Sequence, residues 1–599
     1  MAAVGGRLGS SLEVVELTIA LHRVFDSPVD PIVFDTGHQA YVHRILTGHA
    51  NGFGALSGEN GFSGYPSRGE GEPDLAGDSH TSAALSYADG LAKAFALREV
   101  RRAVVTVVSD AALTGGMCWE ALNNIAVAKD RQVVIVVNDN GRSYASAFGG
   151  LARHLSVLRL SPAYESLLLG VREGLSGTTP LGDRLFTMLK LVKNGLKDML
   201  SPQALFEDLG IKYIGPVPGH DLRGLEQAMR RAKRFGGPVV VHTVTRKGQG
   251  YRPAGDDAID RPHTPGGFTR SAARQAALPV TRWTDVFAEE LVSLARERDD
   301  IVGVTTGMSG PTGIAGLARA FPDRVFDVGV AERHAATSAA GLAMGGVRPV
   351  VAIRSTFLNR AFDQIIMDVA LNGLPVTFVA DHAGITGSDG PGHNGIWDLA
   401  VFGVVPGMRI AAPRDAVTLR AVLREALAFA DGPTLIRFPA GAVLEALPEV
   451  GTVGGVDVLH HDDRREFLLV AVGRSAVWES TRRAVWPTKA TVPPSSLPAG
   501  CFPYRTPWWI SPVPTGSFSP SKTACVWGAS ETPSPGCRDN GVGTPVRTFG
   551  ILDGRHAHGT REEVLADLGL TADALAETAM KLAVSGQDRP SPAVHPVTT

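Results

Sequence analysis

"AVVTVVSDAALTGG", residues 103–116, is the stretch on which the fold turns. A run of β-branched apolar residues stops at Ser109-Asp110, and Thr-Gly-Gly then leads into a helical pattern from Cys118. A continuous apolar run without alternation is the pattern of a strand buried on both faces of a parallel sheet. An acid where such a strand ends is a common position for a metal or phosphate site. Such sites usually set glycines beside the acid, so that backbone approaches the ligand closely. Here the neighbours are Ser109 and Ala111.

Outward from that stretch the same pattern repeats. "QVVIVVN" (132–138) is a second buried-type strand, with "MCWEALNNIAVA" as the crossover helix between the two, and "PVVVHTVT" (238–245) is a later one. A second block carries "IVGVT" (301–305), "RVFDVG" (324–329), "PVVAI" (349–353) and "PVTFVAD" (375–381). Both blocks read as doubly wound α/β layers. The polar, Pro- and Gly-containing segment 252–279 reads as the linker between them, and its last part, 266–279, separates the domains themselves. A third block opens with "EFLLVAVG" (466–473). The expected architecture is three α/β domains, 1–265, 280–447 and 452–590.

The third block is interrupted. Residues 486–537 hold 11 of the 39 prolines, 4 of the 8 tryptophans and 3 of the 4 cysteines. Neither helical nor strand periodicity is visible there, and prolines recur too often for regular structure. A low-complexity linker would be poorer in Trp and Cys. The stretch, about 478–540 at its widest, therefore reads as translated out of frame between compensating shifts, with a natural insertion as the alternative. It is expected to be disordered or poorly packed, with exposed tryptophans.

Bulk composition excludes several classes. Lys+Arg 58 against Asp+Glu 60 leaves a formal net charge of −2, with no basic surplus for nucleic acid and no charged tail. The mean hydropathy is +0.06, and no uninterrupted apolar run of about 18 residues suggests a membrane span. The opening "MAAVGGRLGSSLEVVELTIALHRVF" lacks the cationic and apolar regions of a secretory signal. Cys118, Cys501, Cys525 and Cys537 form no CxxC pair, so a reducing cytoplasm is expected, without disulfides or zinc.

Two constellations carry chemistry. Asp110 lies 30 positions before Asn140, and each follows one of two neighbouring strands. Strand ends joined by a crossover helix open on one sheet edge, where an Asp and an Asn give oxygen ligands for Mg²⁺ beside a diphosphate. Taken singly, each residue reads as an Asx cap or turn rather than a ligand. The second constellation is "VGVAERHAATSAAGLAMGG" (328–346), where Glu332 opens a small-residue helix. A glutamate in an apolar site has a raised pKa and can share a proton with a nitrogen base. By itself it reads as a helix N-terminal acid stabilised by the dipole rather than as a proton donor.

Together these motifs become specific. The Asp110–Asn140 pair resembles the thiamine diphosphate signature, and "VAERHAATSAAGLA" with "STFLNRAFDQ" (355–364) resembles the transketolase-type pyrimidine domain. "FDTGHQAYVHRILTG" (34–48), "GFSGYPSR" (61–68), "DSHTSAALSYADGLAKA" (78–94), "VVNDNGRSYA", "FEDLGIKYIGPVPGHD" and "DGPGHNGIWDL" (389–399) are similar to the 1-deoxy-D-xylulose-5-phosphate synthase family, in the family's order. The likeness spans nearly the whole chain except 478–540. It implies three doubly wound α/β domains of transketolase type, a cofactor cleft between the first two, and a cytoplasmic homodimer. It implies an enzyme that decarboxylates pyruvate on thiamine diphosphate and condenses the product with glyceraldehyde 3-phosphate. That reaction opens the methylerythritol phosphate route to isoprenoids and feeds thiamine biosynthesis.

Carried onto this chain, the resemblance assigns Mg²⁺ to Asp110, Asn140 and the Arg142 carbonyl. Glu332 would protonate the aminopyrimidine, with Phe357 packed on its ring. Ser109, Ala111, Ala112 and Lys247 would complete the cofactor site. His38 and His80 would be proton carriers beside the thiazolium, and Arg360, Asp389 and His393 would line the substrate side, His393 also as a catalytic group. The N-terminus starts at the first motif, without the helical segment that precedes it in the family.

Departures cluster at working positions. Ser109 and Ala111 stand for the two glycines of Gly-Asp-Gly, where an added methyl would clash or demand a left-handed alanine. Arg7, Arg333 and Arg354 replace the usual His, Gln and Tyr. Two arginines expected to clamp the acceptor's phosphate are His382 and Ala440 here. Losing two such contacts removes about 1.5–3 kcal/mol each, with Arg354 or Arg437 as candidate substitutes. The expectations are therefore a synthase of the named kind, a pyruvate-decarboxylating transferase with an unphosphorylated acceptor, or a decayed copy of weak or absent activity.

Overall fold

The computed structural model describes residues 8–55, 65–68, 71–74, 80–140, 206–251, 280–387, 390–453, 456–459, 468–473, 509–510, 524–527, 546–551 and 559–587. Arg7, Arg142, Asp389 and the linker 252–279 lie outside them. The chain divides into two compact units. The first is Met1–Leu278 with Val304–Pro311 and Phe326–Ala335; the second is Pro279–Gly303, Thr312–Val325 and Ala336–Thr599.

The first unit is built on β1 (Ile32–Phe34), β2 (Val104–Ser109), β3 (Val133–Asp139), β4 (Lys212–Pro218) and β5 (Val239–Val244), in the order β1-β2-β3-β5-β4. Every pairing is parallel. The continuous apolar runs explain the two-sided burial. Val104, Val108, Ile135 and Val137 pack against Leu85, Leu122 and Ile125 on one face. Val105, Val107, Val134 and Val136 pack against Leu17, Leu21, Leu225 and Met229 on the other. The helix Leu222–Phe235 shows why its ends fall where they do: the Asp221 side chain accepts from the backbone N–H of Arg223, and Gly236 turns left-handed at φ 77°. β4 escapes a sequence reading because Gly215-Pro216 interrupts it. An edge strand tolerates that, and the register shifts between Ile214 and Val217.

The helix Tyr41–Leu46 buries His43 beside Phe34, with its Nδ1 2.9 Å from His22 Nε2. Burial pushes the His43 pKa down to about 3; His22, Arg44 and His49 add to that and a backbone contact at Pro73 opposes it. The folded ring therefore stays neutral, while the unfolded chain takes up a proton below about 6.5. Stability from this group is complete above that value and is lost as pH falls toward 3. At pH 4.5 the loss is about 3 kcal/mol relative to pH 7.5. Urea midpoints at the two pH values should show that excess loss in the wild type and not in His43→Gln; equal losses would exclude His43 as the cause.

The second unit contributes β6 (Ile301–Thr305), β7 (Val325–Asp327), β8 (Arg348–Arg354), β9 (Thr377–Asp381), β10 (Arg409–Ala411) and β11 (Thr434–Phe438). β6 and β7 run on into segments grouped with the first unit. After the hairpin of β12 (Gly451–Val453) and β13 (Val456–Val458) come β14 (Leu468–Ala471), β15 (Trp509–Ile510), β16 (Ala524–Trp527) and β17 (Val546–Phe549). The large sheet runs β15-β10-β11-β9-β8-β6-β7. Trp283, Phe287 and Leu291 of one helix and Leu419, Leu423 and Leu427 of another cover a face of it.

The stretch 486–537 is not as expected. Trp509–Ile510 pairs antiparallel with β10, and Ala524–Trp527 is the middle, parallel strand between β14 and β17. Two short strands therefore stand where no strand periodicity was read. The prolines misled the reading because they flank "TACVW" without entering it, and a strand needs only four residues. The rest of that stretch lies outside the described residues.

Candidate active site

Four adjacent parallel strands deliver their C-terminal ends to one edge of the first sheet, where ligands of open α/β sheets bind. Asp35 and His38 follow β1, Asp110 follows β2, Asn140 follows β3 and Lys247 follows β5. Ser109 lies opposite Asn138 in the register, so Asp110 and Asn140 leave the sheet side by side. Asp110 is buried at 4% exposure and His38 at 9%; His80, Asn140 and Lys247 are half-buried.

Asp35 gathers three of these segments. Its two carboxylate oxygens accept from the backbone N–H groups of Ser82 (2.8 Å) and Ala84 (2.9 Å), capping the helix Ala84–Leu97 from a remote strand end. Ser82 is held left-handed at φ 74°, and its hydroxyl donates to the Ala112 carbonyl at 2.8 Å. The loop of His80 is thereby tied both to the β1 end that carries His38 and to the turn after Asp110.

That turn corrects the expectation of strain. Ala111 is right-handed helical (φ −63°, ψ −40°), and Ser109 belongs to β2, so neither position requires the glycine-type backbone. The Ser109 hydroxyl accepts the Ala112 N–H at 3.3 Å, and Asp110 Oδ1 accepts that of Ala111 at 2.9 Å. Two short polar side chains cap the turn that follows, Ala112–Thr114.

The segment before Glu332 belongs to the same unit. Thr114 Oγ1 donates to the Ala111 carbonyl at 2.6 Å and accepts from the Val330 N–H at 2.8 Å. One hydroxyl therefore joins the Asp110 turn to the residues that open the helix Glu332–Met344. The approach is close enough to exclude side chains. A Cβ on Gly329, itself at φ 72°, would stand 2.5 Å from Thr114 Oγ1, and a Cβ on Gly115 would stand 2.9 Å from the Val330 carbonyl oxygen. Asp327 holds the turn by accepting from the N–H groups of Gly307 and Gly329, and its burial raises its pKa against those two bonds. Glu332 is 5% exposed. Arg333 pairs with Glu120 at 3.2 Å on the surface, a contact of little energetic weight.

A residue that the sequence reading passed over sits at the centre of this edge. Glu13, fully buried in the turn between two N-terminal helices, accepts from three side-chain amides. Gln39 Nε2 donates at 2.8 Å, Asn138 Nδ2 at 3.1 Å, and Asn140 Nδ2 at 3.1 and 3.0 Å to the two oxygens. Burial pushes its pKa up to about 7; the Asn140 bond, Lys247 and the Gln39 bond lower it, and Asp110 raises it.

In the second unit, Phe357 and His393 meet edge to face with ring centroids 5.7 Å apart. Thr356 donates to the Gly392 carbonyl at 3.1 Å, which fixes the same two loops. Arg360 is half-buried on the next turn. Asp389 lies outside the described residues. His382 takes the left-handed conformation (φ 59°) at the end of β9, with Nδ1 2.8 Å from Asp381. Arg437 is not available as a phosphate ligand. Its Nε and Nη2 donate to the two oxygens of Asp398 at 2.8 and 3.2 Å, and the pair is buried. That removes one of the two substitutes expected for the missing clamp.

Asp35 had a legible signal, an acid directly after an apolar strand in "IVFDTGH". Ser82 and Thr114 had only their place in small-residue loops, and Glu13 had none.

Against known families, residues 1–245 match the model for 1-deoxy-D-xylulose-5-phosphate synthase, and residues 280–444 match that for the pyrimidine-binding domain of transketolase. A 1-deoxy-D-xylulose-5-phosphate synthase of Saccharopolyspora erythraea is 51% identical over 596 residues, covering 96% of this chain and 90% of the relative. Proteins of the same name from Rhodococcus jostii (52% over 591 residues; 96% and 89%) and Mycobacterium leprae (53% over 585 residues; 95% and 89%) are similar to the same extent.

Proposed function

The chain belongs to the 1-deoxy-D-xylulose-5-phosphate synthase family, and from that premise we propose that it uses thiamine diphosphate and Mg²⁺ to decarboxylate pyruvate and transfer the two-carbon product to an aldehyde. The family's domains imply the thiamine diphosphate dependence; the metal, the residue roles and a cytoplasmic homodimer are part of this reading. The observation that carries it is the Thr114 hydroxyl, which joins the Asp110 turn to the segment of Glu332. Glu332 thus shares one unit with Asp110 and Asn140.

The residues fit the cofactor pair. Asp110 and Asn140 offer oxygen donors, which suit a hard cation. The glycines at 115 and 329 keep backbone close where a side chain would intrude. Bound thiamine diphosphate supplies the electron sink for decarboxylation of a 2-oxo acid. In this reading Asp110 and Asn140 hold Mg²⁺, with the Arg142 carbonyl. Lys247 and the backbone of 109–112 meet the diphosphate. Glu332 holds a proton at the aminopyrimidine nitrogen, Phe357 packs on that ring, and His38 and His80 move protons near the reacting carbon. Arg360, Asp389 and His393 face the substrates. No helix among the described residues is long and apolar enough to cross a membrane.

A second reading concerns the acceptor. With His382 and Ala440 at the two clamp positions and Arg437 committed to Asp398, recognition of a phosphate is weakened. An unphosphorylated aldehyde then competes as acceptor. Calorimetry with thiamine diphosphate should show binding that requires Mg²⁺; no binding with Mg²⁺ present identifies a decayed copy instead. With pyruvate as donor, a kcat/KM for glyceraldehyde 3-phosphate well above that for glyceraldehyde supports the synthase, and equal values support the second reading.

A further inference from the structure

We infer that Glu13 is a positioning residue for the metal: it fixes the carboxamide of Asn140 so that Nδ2 faces Glu13 and Oδ1 is turned to the opposite side as a ligand. The inference rests on the assignment of Mg²⁺ to Asp110 and Asn140. It starts from an asymmetry in hydrogen bonding. An amide has one donor end and one acceptor end, and it turns the N–H₂ end to the oxygens it donates to. Asn140 Nδ2 donates to both Glu13 oxygens, at 3.1 and 3.0 Å, so the N–H₂ end of the amide faces Glu13.

The other contacts of Glu13 hold the carboxylate itself in place. Gln39 donates to it from the segment of His38, and Asn138 donates from β3 while accepting from the Thr245 hydroxyl at 2.7 Å. Asn138 is thus oriented from both ends, and Glu13 is held from two elements before it reaches Asn140. Groups that orient a ligand from behind typically change metal affinity by roughly 10–100-fold when replaced.

The choice of substitution separates this role from the alternatives. In Glu13→Gln the new amide can donate to Asn140 Oδ1 and draw the ligand oxygen away from the metal. Glu13→Ala removes the same charge but supplies no donor. The position therefore predicts that the nearly isosteric change is the more harmful one for metal. Loss of charge alone predicts equal effects of the two variants, and loss of packing predicts that alanine is worse.

Mg²⁺ would be titrated calorimetrically into each full-length protein with saturating thiamine diphosphate, and thermal midpoints would report folding. Glu13→Gln is expected to weaken Mg²⁺ by at least about tenfold relative to Glu13→Ala. Adding Asn140→Asp to Glu13→Gln is expected to recover most of that loss, because an aspartate accepts from the glutamine and keeps an oxygen for the metal. If Glu13→Ala does not fold, the recovery in the double variant decides the matter. Mg²⁺ affinity in Glu13→Gln equal to that of Glu13→Ala or the wild type, or no recovery in the double variant, overturns the role of Glu13 alone. A wild type that binds no thiamine diphosphate overturns the proposed function, and this inference with it.

Discussion

Glu332→Gln is expected to slow exchange of the C2 proton of bound thiamine diphosphate by roughly 10²–10⁴-fold, the range of a single acid–base contribution. Glutamine keeps the size and shape of the side chain, so the helix it opens and the turn before it should persist. Binding of the cofactor should change little, since the contacts of the Asp110 turn are untouched. What is lost is a proton that can be given and taken back: a carboxylic acid does both, and an amide does neither at neutral pH. The position suits that task. Glu332 is 5% exposed, the first residue of its helix, and only two residues beyond the Val330 N–H held by Thr114. Deuterium exchange followed by NMR reads the step directly, without pyruvate or acceptor. Exchange that stays fast in Glu332→Gln means the proton is managed elsewhere, and the assignment of the pyrimidine site falls.

How much of this was legible in the sequence depends on whether a feature has a local cause. β2 and β3 were visible because burial on both faces demands an unbroken apolar run, which their sequences supply. Asp110 and Asn140 followed, since the topology fixes which strand ends are neighbours. β4 was invisible for the opposite reason: an edge strand tolerates "YIGPVP", and nothing local distinguishes that from a loop. The supposed strain at Ala111 was wrong because a turn has more than one backbone solution, and Ser109 and Asp110 cap this one. Glu13 was beyond reach. Its sequence surroundings, "SSLEVVEL", place Glu13 and Glu16 on equal terms. Yet Glu13 is buried under three amides, while Glu16 reaches His220 at 3.1 Å and stays half-exposed. Only the tertiary partners decide between them.

Arg437 shows the same limit from the side of energetics, and it carries a large expected effect. From sequence it was a spare cation near a depleted phosphate clamp; in the fold it is half of a buried pair. Asp398 accepts from Arg437 twice, from Ser355 Oγ at 3.1 Å and from the Leu399 N–H at 2.9 Å. Removing one partner of such a pair leaves an uncompensated buried charge, at a cost of about 3–5 kcal/mol. Arg437→Met should therefore destabilise the protein by that amount, read as a lower urea midpoint. Replacing the whole pair is a different matter, because the desolvation cost of both ions disappears with them. Arg437→Met with Asp398→Leu should recover most of the loss, and the cycle isolates the coupling between the two residues. Function follows the packing. Ser355 begins the short helix that carries Phe357, so the single variant should also loosen the Phe357–His393 contact and lower kcat for any acceptor, phosphorylated or not. A phosphate ligand would behave otherwise: its loss would raise KM for glyceraldehyde 3-phosphate alone and leave the urea midpoint within about 1 kcal/mol of the wild type. That outcome would return Arg437 to the phosphate site and remove the ground for an unphosphorylated acceptor.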